Sequence, residues 1–199
     1  MFRPQIQKTR VLAILAVFNF LLFYFATYSK DDVLAIGYEE KFKAWPAAQR
    51  VHHSYLGGLL EHTLSVTKTC IYLADKYEVC ADLLLAAAMV HDIGKLDELS
   101  TRGGTEYTDK GKLVGHVVLG RDILREHAKN YSKLPEDFLL HLEHLILAHQ
   151  GQLDWGTIKV PMSPEALLLH YADDIDAKFN IMKRAASLPT SLIKSSTVI

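Results

Sequence analysis

Cysteine is nearly missing from this 199-residue chain: Cys70 and Cys80 are the only two. Neither belongs to a Cys-x-x-Cys pair, which excludes a disulfide framework and a zinc ribbon. Both read as small apolar residues packed in helices of a reducing compartment. A basic excess is missing as well, with 22 lysines and arginines against 23 acidic residues. The three charges before Ser29 are all basic (Arg3, Lys8, Arg10) and the whole chain stands at −1, so the remainder carries −4. Such a body lacks the electrostatic footprint of a protein that grips long nucleic acid through its phosphates. Internal repeats and low-complexity tracts are also absent. The length suits one domain with a sizeable core plus an extra segment.

Histidine, by contrast, is abundant: ten of 199 residues. His91-Asp92 ends the apolar run from Leu83 to Val90, where an imidazole and a carboxylate are costly to bury unless something satisfies them. A divalent cation does so, because nitrogen and oxygen donors together suit such ions. Gly94 is read as the residue that lets the backbone turn at the helix end. Lys95 sets a cation beside the pair, and a metal next to a lysine suits a phosphate ester. His62 shares one helical face with Leu59 and Val66. His116 opens another helix. His144 and His149 lie about 140° apart around a straight helix, so one metal cannot take both. His149, next to Gly151, is the better ligand, leaving His144 as a neighbour or a substrate contact. His170, Asp173 and Ala177 share a further face, flanked by Asp176, which could orient a ligand.

The order His … His-Asp … His … His … Asp, with these residues on separate apolar helices, resembles the HD superfamily of metal-dependent phosphohydrolases from about Trp45 to Arg184. Several stretches are similar to the catalytic domain of YhaM-type 3′→5′ exoribonucleases: His52-His53, Gly57-Gly58-Leu59 to Glu61-His62, His91-Asp92-Ile93-Gly94-Lys95, Gly115-His116, Ala148-His149-Gln150-Gly151 with Trp155-Gly156, and Tyr171 through Lys178. The resemblance implies His62, His91, Asp92 and Asp173 as primary metal ligands, with His116 and His149 binding a second ion bridged by Asp92. It also favours His53 as a substrate contact. One departure is visible: Gln150 stands where two-metal relatives carry a second histidine.

The expectation is therefore an all-α HD-domain bundle of six or seven helices with a short β-hairpin. Its cofactor would be a divalent metal (Mn, Fe, Co, Ni, Zn or Mg), one ion tight and a second weaker. Such an ion lowers the pKa of water near neutral pH, with Asp92 and Lys95 as the catalytic residues. Lys95 would also bind substrate and offset charge growing on the phosphate oxygens. The resemblance makes a phosphodiester of a nucleotide or short RNA the leading substrate. The alternatives are a nucleotide phosphomonoesterase, a cyclic-nucleotide phosphodiesterase, and a membrane-tethered nucleotide sensor with a degenerate site.

Residues 1–30 form a separate hydrophobic segment, 31–188 the HD domain and 189–199 a flexible tail. Val11 to Tyr28 carries no charge over eighteen residues; as a helix it would run about 27 Å, close to the roughly 30 Å of a bilayer core. Flanked by Arg3, Lys8 and Arg10, with Tyr24 and Tyr28 near the far end, it reads as a membrane anchor. A buried seam in a homo-oligomer is the alternative. A nucleotide substrate and free thiols place the catalytic domain in the cytoplasm, on the inner face of the membrane. Helices are expected from Asp31 toward Lys43, Tyr55–Tyr77, Cys80–His91, Lys112–Lys129, Pro135–His149 and Pro164–Lys183. The hairpin pairs Glu98-Leu99 with Glu106-Tyr107-Thr108, and Leu153 to Pro161 reads as a surface loop.

Overall fold

The apolar run Leu83 to Val90 has too little amphipathy to lie on a surface, and it forms the centre of the fold. The computed structural model describes residues 40–49, 53–129 and 134–187. Helix α1 (Gly58–Tyr77) leads into α2 (Ala81–Val90), then the single-turn α3 (Lys95–Glu98) and strands β1 (Leu99–Ser100) and β2 (Glu106–Tyr107). After these come α4 (Asp109–Leu113), α5 (His116–Ala128), α6 (Glu136–Ala148), a 3₁₀ turn (Leu153–Trp155) and α7 (Pro164–Ser187). Residues 40–44 are helical too. The all-α reading with one small hairpin holds.

Helix α2 packs against α1, α6 and α7. Val66, Cys70 and Ala74 of α1 meet Leu83, Leu84, Ala87 and Ala88 of α2, with Leu142, Leu145 and Ala148 of α6 and Leu169 and Ala172 of α7. Each buried leucine contributes roughly 1.5–3 kcal/mol relative to exposure. Burial pushes the Cys70 thiol up to about 12, so it stays neutral and serves packing alone. A smaller cluster of Ala47, Leu59 and Leu96 fastens the segment before α1 onto α3.

Two local features differ from the sequence reading. The helix expected over Lys112–Lys129 is divided, because Gly115 takes φ 80° and separates α4 from α5. That break makes His116 the first residue of a new helix, which agrees with His116 opening a helix in the sequence. Gly94 lies in the turn after the helix, as read, but with ordinary helical angles (φ −63°, ψ −17°) rather than a conformation only glycine adopts. Its necessity is steric: a Cβ there would lie 2.0 Å from the His116 carbonyl oxygen and 2.5 Å from the Gly120 nitrogen. The missing side chain lets α5 close directly on the turn after His91-Asp92.

The hairpin forms where expected, pairing Leu99 with Tyr107 and Ser100 with Glu106. Thr108 caps α4 by accepting from the Gly111 amide at 3.0 Å. Residues 11–28, read as a membrane anchor, lie outside the described residues, as do 31–39 and the tail 189–199. Among the described residues, no helix is long and apolar enough to cross a membrane.

Candidate metal centre

Helices α1, α5 and α7, with the C-terminal ends of α2 and α6, converge on Asp92. Its carboxylate is almost wholly buried, and each oxygen faces a different group. Toward Oδ2 stand His62 Nε2 and His91 Nε2, both at 3.5 Å. Asp173 Oδ1 completes that side, 3.1 Å from His62 Nε2 and 3.9 Å from His91 Nε2. Toward Oδ1 stand His116 Nε2 and His149 Nε2, both at 3.6 Å. All six side chains expected to bind metal are thus brought together, in two groups that share Asp92.

The imidazole orientations are consistent across the set. His62 places Nδ1 against Asp176 Oδ2 at 2.7 Å, and His91 places Nδ1 against the Ala88 carbonyl at 2.9 Å. His116 directs Nδ1 to Glu98 Oε1 at 3.0 Å, and His149 directs Nδ1 to the Ile146 carbonyl at 2.6 Å. An Nδ1–H held by an outer acceptor leaves the Nε2 lone pair aimed inward, the tautomer a metal-binding imidazole needs. Asp92 Oδ1 is buried without a hydrogen-bond partner. An orphaned carboxylate oxygen between two Nε2 atoms is unfavourable unless a cation satisfies it. The residues therefore fit a divalent ion on each side of Asp92.

The charges support the same fit. Burial would raise the Asp92 carboxyl, but Lys95 and the surrounding imidazoles hold it well below the usual carboxylate range. Asp173 is likewise kept ionised, its desolvation outweighed by the hydrogen bond from His62 and by His91. His149, desolvated and beside His91, is pushed down to about 4 and is neutral at pH 7. His62 differs. Burial presses its imidazole down, yet the hydrogen bonds to Asp173 and Asp176 together raise it to about 9. Without a cation, His62 is thus a proton donor to two carboxylates; a cation on Nε2 displaces one of those protons.

Lys95 is buried on the first turn after the ligands, with Nζ 2.5 Å from Asp92 Oδ2. Desolvation lowers its ammonium, and Asp92 more than compensates, keeping it charged. Its hydrogen-bond partner is Asp92. Lys95 also lines a cavity of about 380 Å³ together with His116, His149, Asp173 and Trp155.

Two expected substrate contacts lie elsewhere. His53 is buried and does not line the cavity; its Nε2 is 3.0 Å from Asp176 Oδ2 and its Nδ1 3.0 Å from the Tyr55 hydroxyl. It braces the carboxylate that orients His62. His144 accepts from the Met162 amide at 3.0 Å and fastens the loop before α7, away from the cavity. Asp176 takes the orienting role raised for it.

Three contributors escaped the sequence reading. Glu98 accepts from both the backbone nitrogen and Nδ1 of His116, each at 3.0 Å. His170 holds the end of α6 through Nδ1 and the His149 carbonyl at 3.0 Å. Gln150, seen only as a missing histidine, puts its amide 3.0 Å from His149 Nε2 and 3.3 Å from His116 Nε2. Amide nitrogen and oxygen exchange places by a simple flip, so Gln150 can present its oxygen to the same spot. The sequence signal for it was its adjacency to His149.

A site built from His, His-Asp, His, His and Asp on separate helices defines a class, and family comparison agrees. Residues 59–178 match the HD domain model, and the chain belongs to the HD-domain family of metal-dependent phosphohydrolases. Among curated relatives, it is 41% identical over 149 residues to the 3′-5′ exoribonuclease YhaM of Bacillus subtilis, covering 74% of this chain and 47% of that protein. It is 42% identical over 151 residues to YhaM of Bacillus licheniformis, with 74% and 47% covered. For the Geobacillus protein of the same name the identity is 38% over 149 residues, with 74% and 46% covered. The chain spans about half the length of these relatives. No solved structure matches it.

Proposed function

We propose that this chain is a metal-dependent phosphodiesterase that shortens RNA from its 3′ end, one nucleotide at a time. The observation that carries the reading is the set of four imidazoles whose Nε2 atoms converge on the two oxygens of Asp92, with Lys95 beside them. The names of the YhaM relatives support the choice of RNA. A divalent cation bound by these residues supplies Lewis acidity toward a phosphoryl oxygen and lowers the pKa of water.

The side chains prepare the rest. His62, His91, Asp92 and Asp173 hold the first ion, while Asp92, His116, His149 and the Gln150 amide face the second. Asp176 and Glu98 fix the outward nitrogens of His62 and His116, so neither ring needs to reorient when substrate arrives. Lys95 keeps its proton and opposes the charge that grows on the non-bridging phosphate oxygens. The net acidity of the body disfavours a long duplex and suits a short single strand. An intact ligand set with a charged lysine is a poor fit for a degenerate sensor.

The test is a substrate panel with purified, Mn²⁺-loaded full chain: a 5′-labelled short RNA, cyclic nucleotides and AMP. The expected result is a ladder of 5′-labelled products with nucleoside monophosphate released. Inorganic phosphate from AMP with RNA left intact would favour the phosphomonoesterase reading instead; opening of cyclic nucleotides alone would favour the cyclic phosphodiesterase.

We further propose that residues 11–28 tether this domain to the inner face of a membrane. Sedimentation of the full chain with lipid vesicles, lost on deleting residues 1–30, is the expected behaviour. A fall in oligomer size without any lipid dependence would favour a buried oligomer seam.

A further inference from the structure

Past the metal ligand His149, the chain makes a 3₁₀ turn, Leu153–Trp155, that ends at Gly156 with φ 89°. This segment is tied back to α6. Thr157 Oγ1 donates to the Leu147 carbonyl at 2.9 Å, and the Ile158 amide donates to the same oxygen at 3.1 Å. Trp155 is therefore held on a braced loop, yet 45% of its surface is exposed. Its ring leans on His170, with centroids 6.1 Å apart and planes at 50°. Lys178 Nζ lies 5.3 Å from the ring centroid. Trp155 and Lys178 line the cavity of about 380 Å³ that His116, His149 and Asp173 also line. From the hairpin, Tyr107 lines it too, 43% exposed.

An aromatic wall beside a cation, in the same cavity as a phosphate-directed metal cluster, fits a ligand with a flat π-face joined to a phosphate. A nucleotide has that form, and a cavity of this size is at the lower end of small-molecule sites. We infer that Trp155 is the stacking platform for the nucleobase of the nucleotide whose phosphate meets the Asp92 cluster. A base can lie on the indole only when it is unpaired, so the site takes single strands. Every base has a π-face, so stacking carries little sequence preference. Lys178, paired with Asp174 at 2.9 Å, stands at the rim beside the indole, and both residues line the cavity.

The inference rests on the phosphodiesterase reading, and the experiment separates the two. Wild type, Trp155→Ala and Trp155→Phe, all as full chain, are compared for the KM of a short single-stranded RNA and for binding of AMP and of ribose 5-phosphate. Trp155→Ala is expected to raise KM and weaken AMP binding by about 10- to 100-fold, the span of one base stacked on an aromatic ring. Trp155→Phe should recover most of both, and ribose 5-phosphate should bind all three proteins equally. Thermal midpoints should coincide, since the side chain is half exposed. An unchanged KM and AMP affinity in Trp155→Ala, with RNA hydrolysed by wild type, overturns the platform and leaves the phosphodiesterase standing. If wild type hydrolyses no RNA, that reading fails, and the AMP comparison still decides the platform: equal affinity in wild type and Trp155→Ala overturns it.

Discussion

The two sides of Asp92 are built from similar side chains but differ in charge and burial. On the Oδ2 side, two buried imidazoles and a second carboxylate, Asp173, surround the space. On the Oδ1 side, His149 is buried, His116 is partly open to solvent, and the third donor is the neutral amide of Gln150. Asp173 gives the first side a second charged oxygen ligand where the other side has only a neutral amide, which favours a dication there even with the Lys95 ammonium against Oδ2. On the proposed reading, the first side would hold its ion tightly and the second would fill as the ion becomes available. The looser side opens into the cavity through His116, His149 and Gln150, where substrate would complete it.

The largest expected effect comes from breaking the tight side. His91→Ala should remove the tightly bound cation and reduce turnover to background while the helical circular dichroism persists, because the buried ring packs on His62 and His149 of the same cluster rather than among the apolar core residues. Full metal content with full turnover would remove His91 from the site. Next is Lys95→Ala, which should cut turnover by about 10- to 1000-fold and leave metal stoichiometry unchanged. Lys95→Arg should restore part of it, since a planar fork does not reproduce an ammonium. A lowered thermal midpoint with unaltered turnover would instead make Lys95 a structural partner of Asp92.

The loose side gives smaller and opposite changes. His116→Ala should abolish the weaker binding event in a Mn²⁺ titration and lower activity, with the first event retained. Gln150→His should tighten the weaker event by roughly tenfold or more, within the range by which ligand-shell changes alter metal affinity. Loss of both events in His116→Ala would move that residue to the tight side. The mildest effect is pH dependence. His62, raised to about 9 in the metal-free protein, must lose its Nε2 proton to bind. Below that value each cation bound should release about one proton, and tight-site affinity should rise close to tenfold per pH unit between pH 7 and 8 before levelling near 9. Asp176→Asn removes the carboxylate at Nδ1, one of the two that together raise His62, and should start the plateau at lower pH.

The residues facing Asp92 were legible in the sequence on both sides, His116 and His149 as well as His62, His91 and Asp173. Metal ligands are few residue types: His62 and Asp173 lie on helices whose periodicity marks a face, His91-Asp92 stands out by ending an apolar run, and the resemblance to the HD superfamily implied the ligand set. Their clustering follows from packing those faces together. What periodicity does not carry is the direction of a side chain beyond its face. His53 was read as a substrate contact, although its ring turns inward to Asp176. His144 was given the same role, although it points to Met162. Glu98 reaches back to a histidine eighteen positions later only because Gly94 lets α5 close on α3. Gln150 was seen as a loss because residue identity alone does not show where its amide ends. The place of the hairpin and most helix limits were legible, as was His116 at the start of a helix; the short helix Asp109–Leu113 before Gly115 was not, since a lone glycine interrupts a helical pattern without fixing its own φ.

One carboxylate serving both sides is most directly tested by a Mn²⁺ binding isotherm of Asp92→Ala beside wild type, with helicity recorded on the same samples. Wild type should show one tight and one weaker event. Asp92→Ala, still helical, should show neither within the same concentration range, because each of its two oxygens faces one of the ion sites. A folded Asp92→Ala protein that keeps either event at wild-type affinity would contradict the shared-carboxylate centre.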